Sequence, residues 1–260
     1  MTVCCVRKAG AHVLRLVLIG IGISEMMWAA TREWTSIGPE GGAILRLAVE
    51  LRNPSTIYAG TCTGVFKTAD GGATWTAVNS GLLAPDCFAV MEIDPQNPDT
   101  VYTASKQGVF KTTDGGHSWH AINSGNGIFF QLETIGCPTT CTQPVAIDPA
   151  TPAILYAAAS QVFGSDRSVM RGILKSTDAG ATWTLVNPGN FNVIAVDPHD
   201  GTVYASGYNS NAGLFKSSDG GASWSQIAAQ RSPIAGVTMH PQLSGTLYYW
   251  TGGQSWGEIQ

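Results

Sequence analysis

Beyond residue 34 the apolar positions fall in short runs, and polar stretches rich in Gly, Pro, Asn and Asp separate them. The runs favour β-branched and aromatic residues, as in "VYTAS", "GVFKT" and "IAVDP". None shows a helical 3.6-residue spacing with caps. Such runs, bounded by turn residues, predict β-strands. Their order repeats. "AVELRNPSTIYAG", "VMEIDPQNPDTVYTA", "VAIDPATPAILYAA", "IAVDPHDGTVYAS" and "GVTMHPQLSGTLYYW" share one pattern. After each of the first four comes a strand with Lys near its end, then a nine-residue string: "KTADGGATW", "KTTDGGHSW", "KSTDAGATW" and "KSSDGGASW". The period is a little over forty residues, stretched by an insertion before Trp183.

Each unit therefore reads as four strands. The first precedes the Pro turn, the second is the Tyr-bearing run, the third is the "GVFKT" type, and the fourth starts at the Trp. Four-stranded units at this period predict an all-β fold, a β-propeller of about five blades. Four units are complete. The fifth, from about Ile234, supplies its first two strands, and "SWGEIQ" is the one segment left to form a third. Trp34 begins an orphan outer strand. Two outcomes stay open: a five-bladed ring latched by the Trp34 strand against 246–260, or an open arc of a larger propeller.

The string Ser/Thr-x-Asp-x-Gly-x-Ser/Thr-Trp resembles the Asp-box, or BNR repeat. That repeat occurs in sialidases, sortilin-type receptors, xyloglucan-degrading glycoside hydrolases and photosystem II assembly propellers. The resemblance covers about residues 34 to 250. It implies a propeller and leaves function open, because those families do unrelated things. Asp70, Asp114, Asp178 and Asp219 are expected to accept backbone N–H groups within their turns. The Gly pair permits positive φ. Trp75, Trp119, Trp183 and Trp224 are expected to bury their rings between blades. A calcium loop and a catalytic role are the rivals. The EF-hand ligand pattern is absent, and one catalytic centre does not need four equivalent acids.

Composition adds limits. The chain has 260 residues, 44% hydrophobic and 12% charged, enough for a substantial core. Net charge is −4, with no Lys/Arg run beyond the first fifteen residues, so the basic footprint of a nucleic-acid binder is missing. Arg7, Lys8 and Arg15 precede "LVLIGIGI" and then "SEMMWAA". That order predicts a signal peptide or apolar leader over 1–30, with the propeller over 31–260 and a secreted or periplasmic location. Cys4 and Cys5 lie in the leader. The four that remain predict two disulfides, Cys62–Cys87 and Cys137–Cys141. "CPTTC" has metal-like spacing, but no second CxxC or paired His accompanies it. His117 and His120 are three apart on a strand and point to opposite faces. No metal and no cofactor is expected.

In an up-and-down blade, the first-to-second and third-to-fourth connections share one face. Here these are the uniform Pro and Asp turns. The other face carries all the length variation: "QVFGSDRSVMRG", "YNSNAG" and "NSGNGIFFQLETIGCPTTCTQP". Binding residues concentrate on variable loops over a rigid scaffold. The candidate ligand site is Phe129, Phe130, Phe163, Asp166, Arg167, Arg171 and Tyr208.

The enzyme readings fit less well. The sialidase resemblance requires an Arg-Ile-Pro motif and an arginine cluster, and neither is recognisable. "WTSIGPEGGAILRLAVELRNPSTIYAGT" resembles the start of the xyloglucanase-like family, in which a catalytic Asp follows the Tyr-Ala strand. Cys62 occupies that place, whereas glycoside hydrolysis ordinarily needs two carboxylates. Glu50 and Glu92 read as one repeat position at a blade edge. Asp86 and Asp166, on the variable face, are the remaining catalytic candidates. The preferred reading is an exported, non-enzymatic binding or scaffold propeller, its partner a protein or a cell-surface glycan. The alternative is a glycoside hydrolase relative, active or degenerate.

Overall fold

The structure is a computed structural model. It describes residues 38–39, 43–82, 86–122, 130–131, 144–163, 168–229, 234–251 and 256–259. These form a β-propeller of five antiparallel sheets, each built on a meander in which successive strands pair, the third carrying one further short strand off that path. The first sheet is β1 (Ile44–Val49), β2 (Ile57–Thr61), β3 (Gly64–Thr68) and β4 (Thr76–Ala77). The second is β5 (Val90–Ile93), β6 (Val101–Ser105), β7 (Gly108–Thr112) and β8 (His120–Ala121). The third is β9 (Phe130–Gln131), β10 (Val145–Ile147), β11 (Leu155–Phe163), β12 (Ser168–Ser176) and β13 (Thr184–Pro188). The fourth is β14 (Phe191–Val196), β15 (Val203–Gly207), β16 (Gly213–Ser217) and β17 (Ser225–Ala228). The fifth is β18 (Ile234–Met239), β19 (Leu247–Thr251) and β20 (Trp256–Ile259).

The first strand of each meander neighbours the first strand of the next, which places β1, β5, β10, β14 and β18 on the inside. The core lies in the seams between sheets. Tyr58 and Val65 of the first sheet meet Phe88, Phe110 and Trp119 of the second. Val90, Tyr102 and Val109 meet Leu155, Leu174 and Trp183. Tyr156 and Ile173 meet Ile194 and Val203, and Tyr204 and Leu214 meet Ile234 and Leu247. Both faces of the inner strands are covered, so these strands are apolar almost throughout instead of alternating. Among the described residues no buried cluster joins the fifth sheet to the first. "SWGEIQ" does supply a third strand, with Trp250 opposite Trp256. The Trp34 segment, and with it the choice between ring and arc, lies outside the described residues, as does the leader.

Two readings of the sequence need correction. The strand register separates Glu50 from Glu92. Glu92 lies opposite Tyr102 as Ala48 lies opposite Tyr58. The Glu50 N–H donates to Thr56 O, as Asp94 N–H does to Thr100 O. Asn53-Pro54 therefore corresponds to Asn97-Pro98, not to Asp94-Pro95. The second correction concerns "QVFGSDRSVMRG". Most of it is strand, because β11 and β12 continue pairing up to Phe163 and Ser168. A nine-residue strand reaches about 13 Å further than a five-residue one. β9 flanks this extension, with Phe130 opposite Gln161 and Gln131 opposite Ser160.

Candidate functional site

On the uniform face, four turns share one hydrogen-bond pattern. Asp70 Oδ1 accepts from Thr68 Oγ1 at 2.7 Å and from the Thr74 N–H at 2.8 Å, while Oδ2 accepts from Thr74 Oγ1 at 2.6 Å. Asp114 does the same with Thr112 and Ser118, Asp178 with Ser176 and Thr182, and Asp219 with Ser217 and Ser223. Thr68 Oγ1 in turn accepts the Gly72 N–H at 3.0 Å, which closes the turn. These donors favour the ionised carboxylate. Hydrogen bonds from Thr74 and then Thr68 hold Asp70 down at about 2. The equivalent bonds hold Asp178 and Asp219 at about 2 and Asp114 lower still. Every oxygen of these carboxylates accepts a hydrogen bond within its own turn.

The turns also join the blades. Lys67 Nζ donates to Gly115 O in the next sheet at 3.0 Å and lies 5.1 Å from the Tyr58 ring centroid. Tyr58 OH donates to the same carbonyl at 3.1 Å. Lys111 reaches Ala179 O at 3.5 Å, and Lys175 reaches Gly220 O at 2.7 Å. Each of these lysines lies over the Tyr of its own sheet. Trp119 Nε1 donates back to Val78 O in the preceding sheet at 2.8 Å, and Trp183 Nε1 to Ile122 O at 3.2 Å. Trp224 packs on the third-to-fourth seam and donates to Gly221 O. Trp75 is half-buried. The Lys–Tyr relay was missed in the sequence, although its signal is there: Lys and Tyr recur in every complete unit.

The other face starts from the Cys62–Cys87 disulfide, whose Cα atoms are 3.7 Å apart. It ties the β2–β3 turn to the segment leading into β5, beside the Phe88 N–H to Thr61 O bond. Cys62 is thus neither a thiol nor a carboxylate, and general-base chemistry at that position has no group to perform it. Asp86 is half-buried, and its Oδ1 accepts the Cys87 N–H at 2.8 Å. Among the described residues it is the one carboxylate on this face.

The predicted ligand residues divide into three groups. Phe129, Asp166 and Arg167 lie outside the described residues, as do Cys137 and Cys141. Phe130 and Phe163 are placed by their backbones, in β9 and at the end of β11. Arg171 and Tyr208 are brought close through the β13–β14 turn. The Gly189 N–H donates to Arg171 O, and the Tyr208 N–H donates to Asn190 O, both at 2.9 Å. Arg171 is exposed and Tyr208 half-buried. The sequence reading missed three residues beside them. Asn190 Nδ2 donates to Ser210 Oγ at 3.3 Å, and the Asn190 N–H donates to Asn211 Oδ1 at 3.2 Å. The insertion "YNSNAG" was the signal for Ser210 and Asn211, and Asn190 carries none. Asn209, with φ of 55°, turns this loop. Among the described residues no group of His, Cys, Asp and Glu side chains is arranged to hold a metal. No helix among them is long and apolar enough to cross a membrane.

Comparison with protein-family models gives no match, and comparison with curated proteins gives none either. Solved structures do match. The chain is similar to a GH74 enzyme from Niastella koreensis at TM-score 0.60 and 20% identity, covering 79% of this chain and 35% of that one. It is similar to YCF48 bound to a D1 peptide at 0.52 and 16%, covering 84% and 63%. The extracellular domain of a two-component system protein, BT4673 from B. thetaiotaomicron, matches at 0.53 and 11%, covering 77% and 25%. These likenesses define the class as a β-propeller. The chain spans about a third of the length of the GH74 enzyme and less than two thirds of YCF48.

Proposed function

We propose that this chain is an exported binding or scaffold propeller, and that its partner, a cell-surface glycan or a protein, docks on the face opposite the Asp turns. One observation carries this reading. The Asp-turn face is built from the same self-satisfied turn four times, whereas the opposite face carries the β9–β11–β12 ribbon, the disulfide and the Arg171–Tyr208 cluster. The ribbon backbone, Arg171, Tyr208 and the Asn190, Ser210 and Asn211 groups offer strand-edge, guanidinium, aromatic and amide chemistry of the kind that holds sugars and peptides. The fold-level neighbours support it by analogy, since one of them carries a bound peptide and another is an extracellular domain. The second reading, a glycoside hydrolase relative, rests on the likeness to GH74 enzymes. Against it stand the disulfide at Cys62 and the presence, among the described residues of the loop face, of one carboxylate, Asp86, where hydrolysis needs two. A screen of immobilised glycans, run beside a hydrolysis assay on the same glycans, separates the two. Binding without product release supports the first reading. Released sugar supports the second.

A further inference from the structure

The repeat makes departures from it readable. On the inner strands, Val90 lies opposite Ala104 and Val193 opposite Ser206. At the same position the first sheet has Arg46 opposite Gly60. Arg46 is 2% exposed, and its Nε and Nη2 are buried with no hydrogen-bond partner among the described residues. A guanidinium does not shed its charge, so the N–H groups on these two nitrogens require acceptors. Directly opposed residues of an antiparallel pair project to the same side of the sheet. A Cβ on Gly60 would run into the Phe88 carbonyl of the second sheet, so Arg46 projects into the seam between the first two sheets. The segment holding Asp86 enters the same seam, pinned by Cys87 to Cys62 and by Phe88 to Thr61. Asp86 Oδ2 is also buried without a partner. Arg46 and Asp86 thus bring two unmet donor nitrogens and one unmet acceptor oxygen to segments that the disulfide ties together.

We propose that this seam binds a carboxylate bearing a nearby hydroxyl, the chemistry of a uronic-acid residue in an acidic glycan. The edge formed by Nε and Nη2 presents the two parallel donors that a carboxylate spans. The hydroxyl donates to Asp86 Oδ2. A neutral sugar lacks the first contact and a simple anion lacks the second. The inference rests on the loop face being a glycan-binding surface, and narrows the glycan to acidic ones.

The test uses the full chain with glucuronate, glucose and acetate, read by calorimetric titration and thermal shift. Glucuronate is expected to raise the melting temperature and to bind at least tenfold more tightly than glucose or acetate. Arg46→Val restores the residue of the repeat. It is expected to abolish glucuronate binding while keeping or raising the ligand-free melting temperature, because it removes an unpaired buried charge. Asp86→Asn is expected to weaken glucuronate towards the acetate level. Three results would each overturn the proposal: no glucuronate binding, equal binding of glucose, or an Arg46→Val protein that melts many degrees lower without ligand. Neutral glycans that bind equally well to the Arg46→Val protein and are lost on Arg171→Ala/Tyr208→Ala would sink this inference alone. Absence of any glycan or protein ligand would sink the functional reading beneath it.

Discussion

The third Asp turn contains a built-in defect, and repairing it tests how these turns work. In three turns the residue after Asp is Gly71, Gly115 or Gly220, with φ of 71°, 67° and 68°. In the third it is Ala179, held at φ 57°. The conformation is kept because the Ala179 N–H donates to Ala153 O at 2.8 Å, as the Gly71 N–H donates to Ser55 O. An L-residue in the left-handed region costs about 1–2 kcal/mol. Replacing Ala by Gly removes that cost and returns about 0.5–1 kcal/mol through the freer unfolded chain. Ala179→Gly should therefore stabilise the fold by about 0.5–1 kcal/mol, a rise of a few degrees in melting temperature for a chain this long. Gly71→Ala is the mirror experiment. A Cβ there meets nothing within 4 Å, so it reports backbone strain alone and should cost about 1 kcal/mol. Gly180→Ala should cost more, because its Cβ would also run into Ile122. Urea unfolding with an unchanged m-value measures all three. A neutral Gly71→Ala together with a destabilising Ala179→Gly would refute the argument that positive φ dictates Gly here.

Other consequences follow from the same geometry. Replacing Cys62 and Cys87 together by Ser opens a cross-link of sequence separation 25 and should cost about 3.5 kcal/mol on the chain-entropy estimate, with dithiothreitol lowering the wild-type midpoint by a similar amount. Acid should melt the propeller between about pH 4 and pH 2. The turn carboxylates are held at about 2 when folded and titrate near 4 when unfolded, so the unfolded chain binds more protons and stability falls with pH through that window. A melting temperature flat from pH 5 to pH 2 would contradict this. Lys175→Met removes the bond to Gly220 O and the contact with Tyr156. It should cost about 1–2 kcal/mol by thermal denaturation while the far-UV spectrum stays the same.

Much of the fold was legible because a repeat multiplies weak signals. One "KTADGGATW" predicts a turn. Four of them at propeller spacing predict an architecture, and Tyr58, Tyr102, Tyr156 and Tyr204 fall on the buried second strands that the pattern marked. What failed was register. Asn53-Pro54 looks like Asp94-Pro95, and the strand register with the hydrogen bonds of Glu50 and Asp94 shows that a second Pro position is the true match. The ribbon failed for a related reason. "QVFGSDRSVMRG" holds Gly, Ser and Asp, which read as loop, yet the pairing of β11 with β12 and β9 overrides local propensity. The candidate site was legible as a face but not as a cluster. Nothing in the spacing of Arg171 and Tyr208 shows that Gly189 and Asn190 tie them together. In the sequence Arg46 carries no mark that sets it apart. Its interest comes from burial, which only the fold supplies.

Comparing the two faces in one binding assay is the most direct test. The probe is the strongest binder from the immobilised-glycan screen, titrated against three forms of the chain. Arg171→Ala/Tyr208→Ala alters the loop face, and Ala73→Arg/Ala222→Arg places bulk on exposed tips of the Asp turns. With binding on the loop face, the first variant loses at least tenfold in affinity at an unchanged melting temperature, the second binds as the wild type does, and the glycan is recovered intact. Loss of binding in the second variant with retention in the first, or release of cleaved sugar by the wild-type chain, would contradict it.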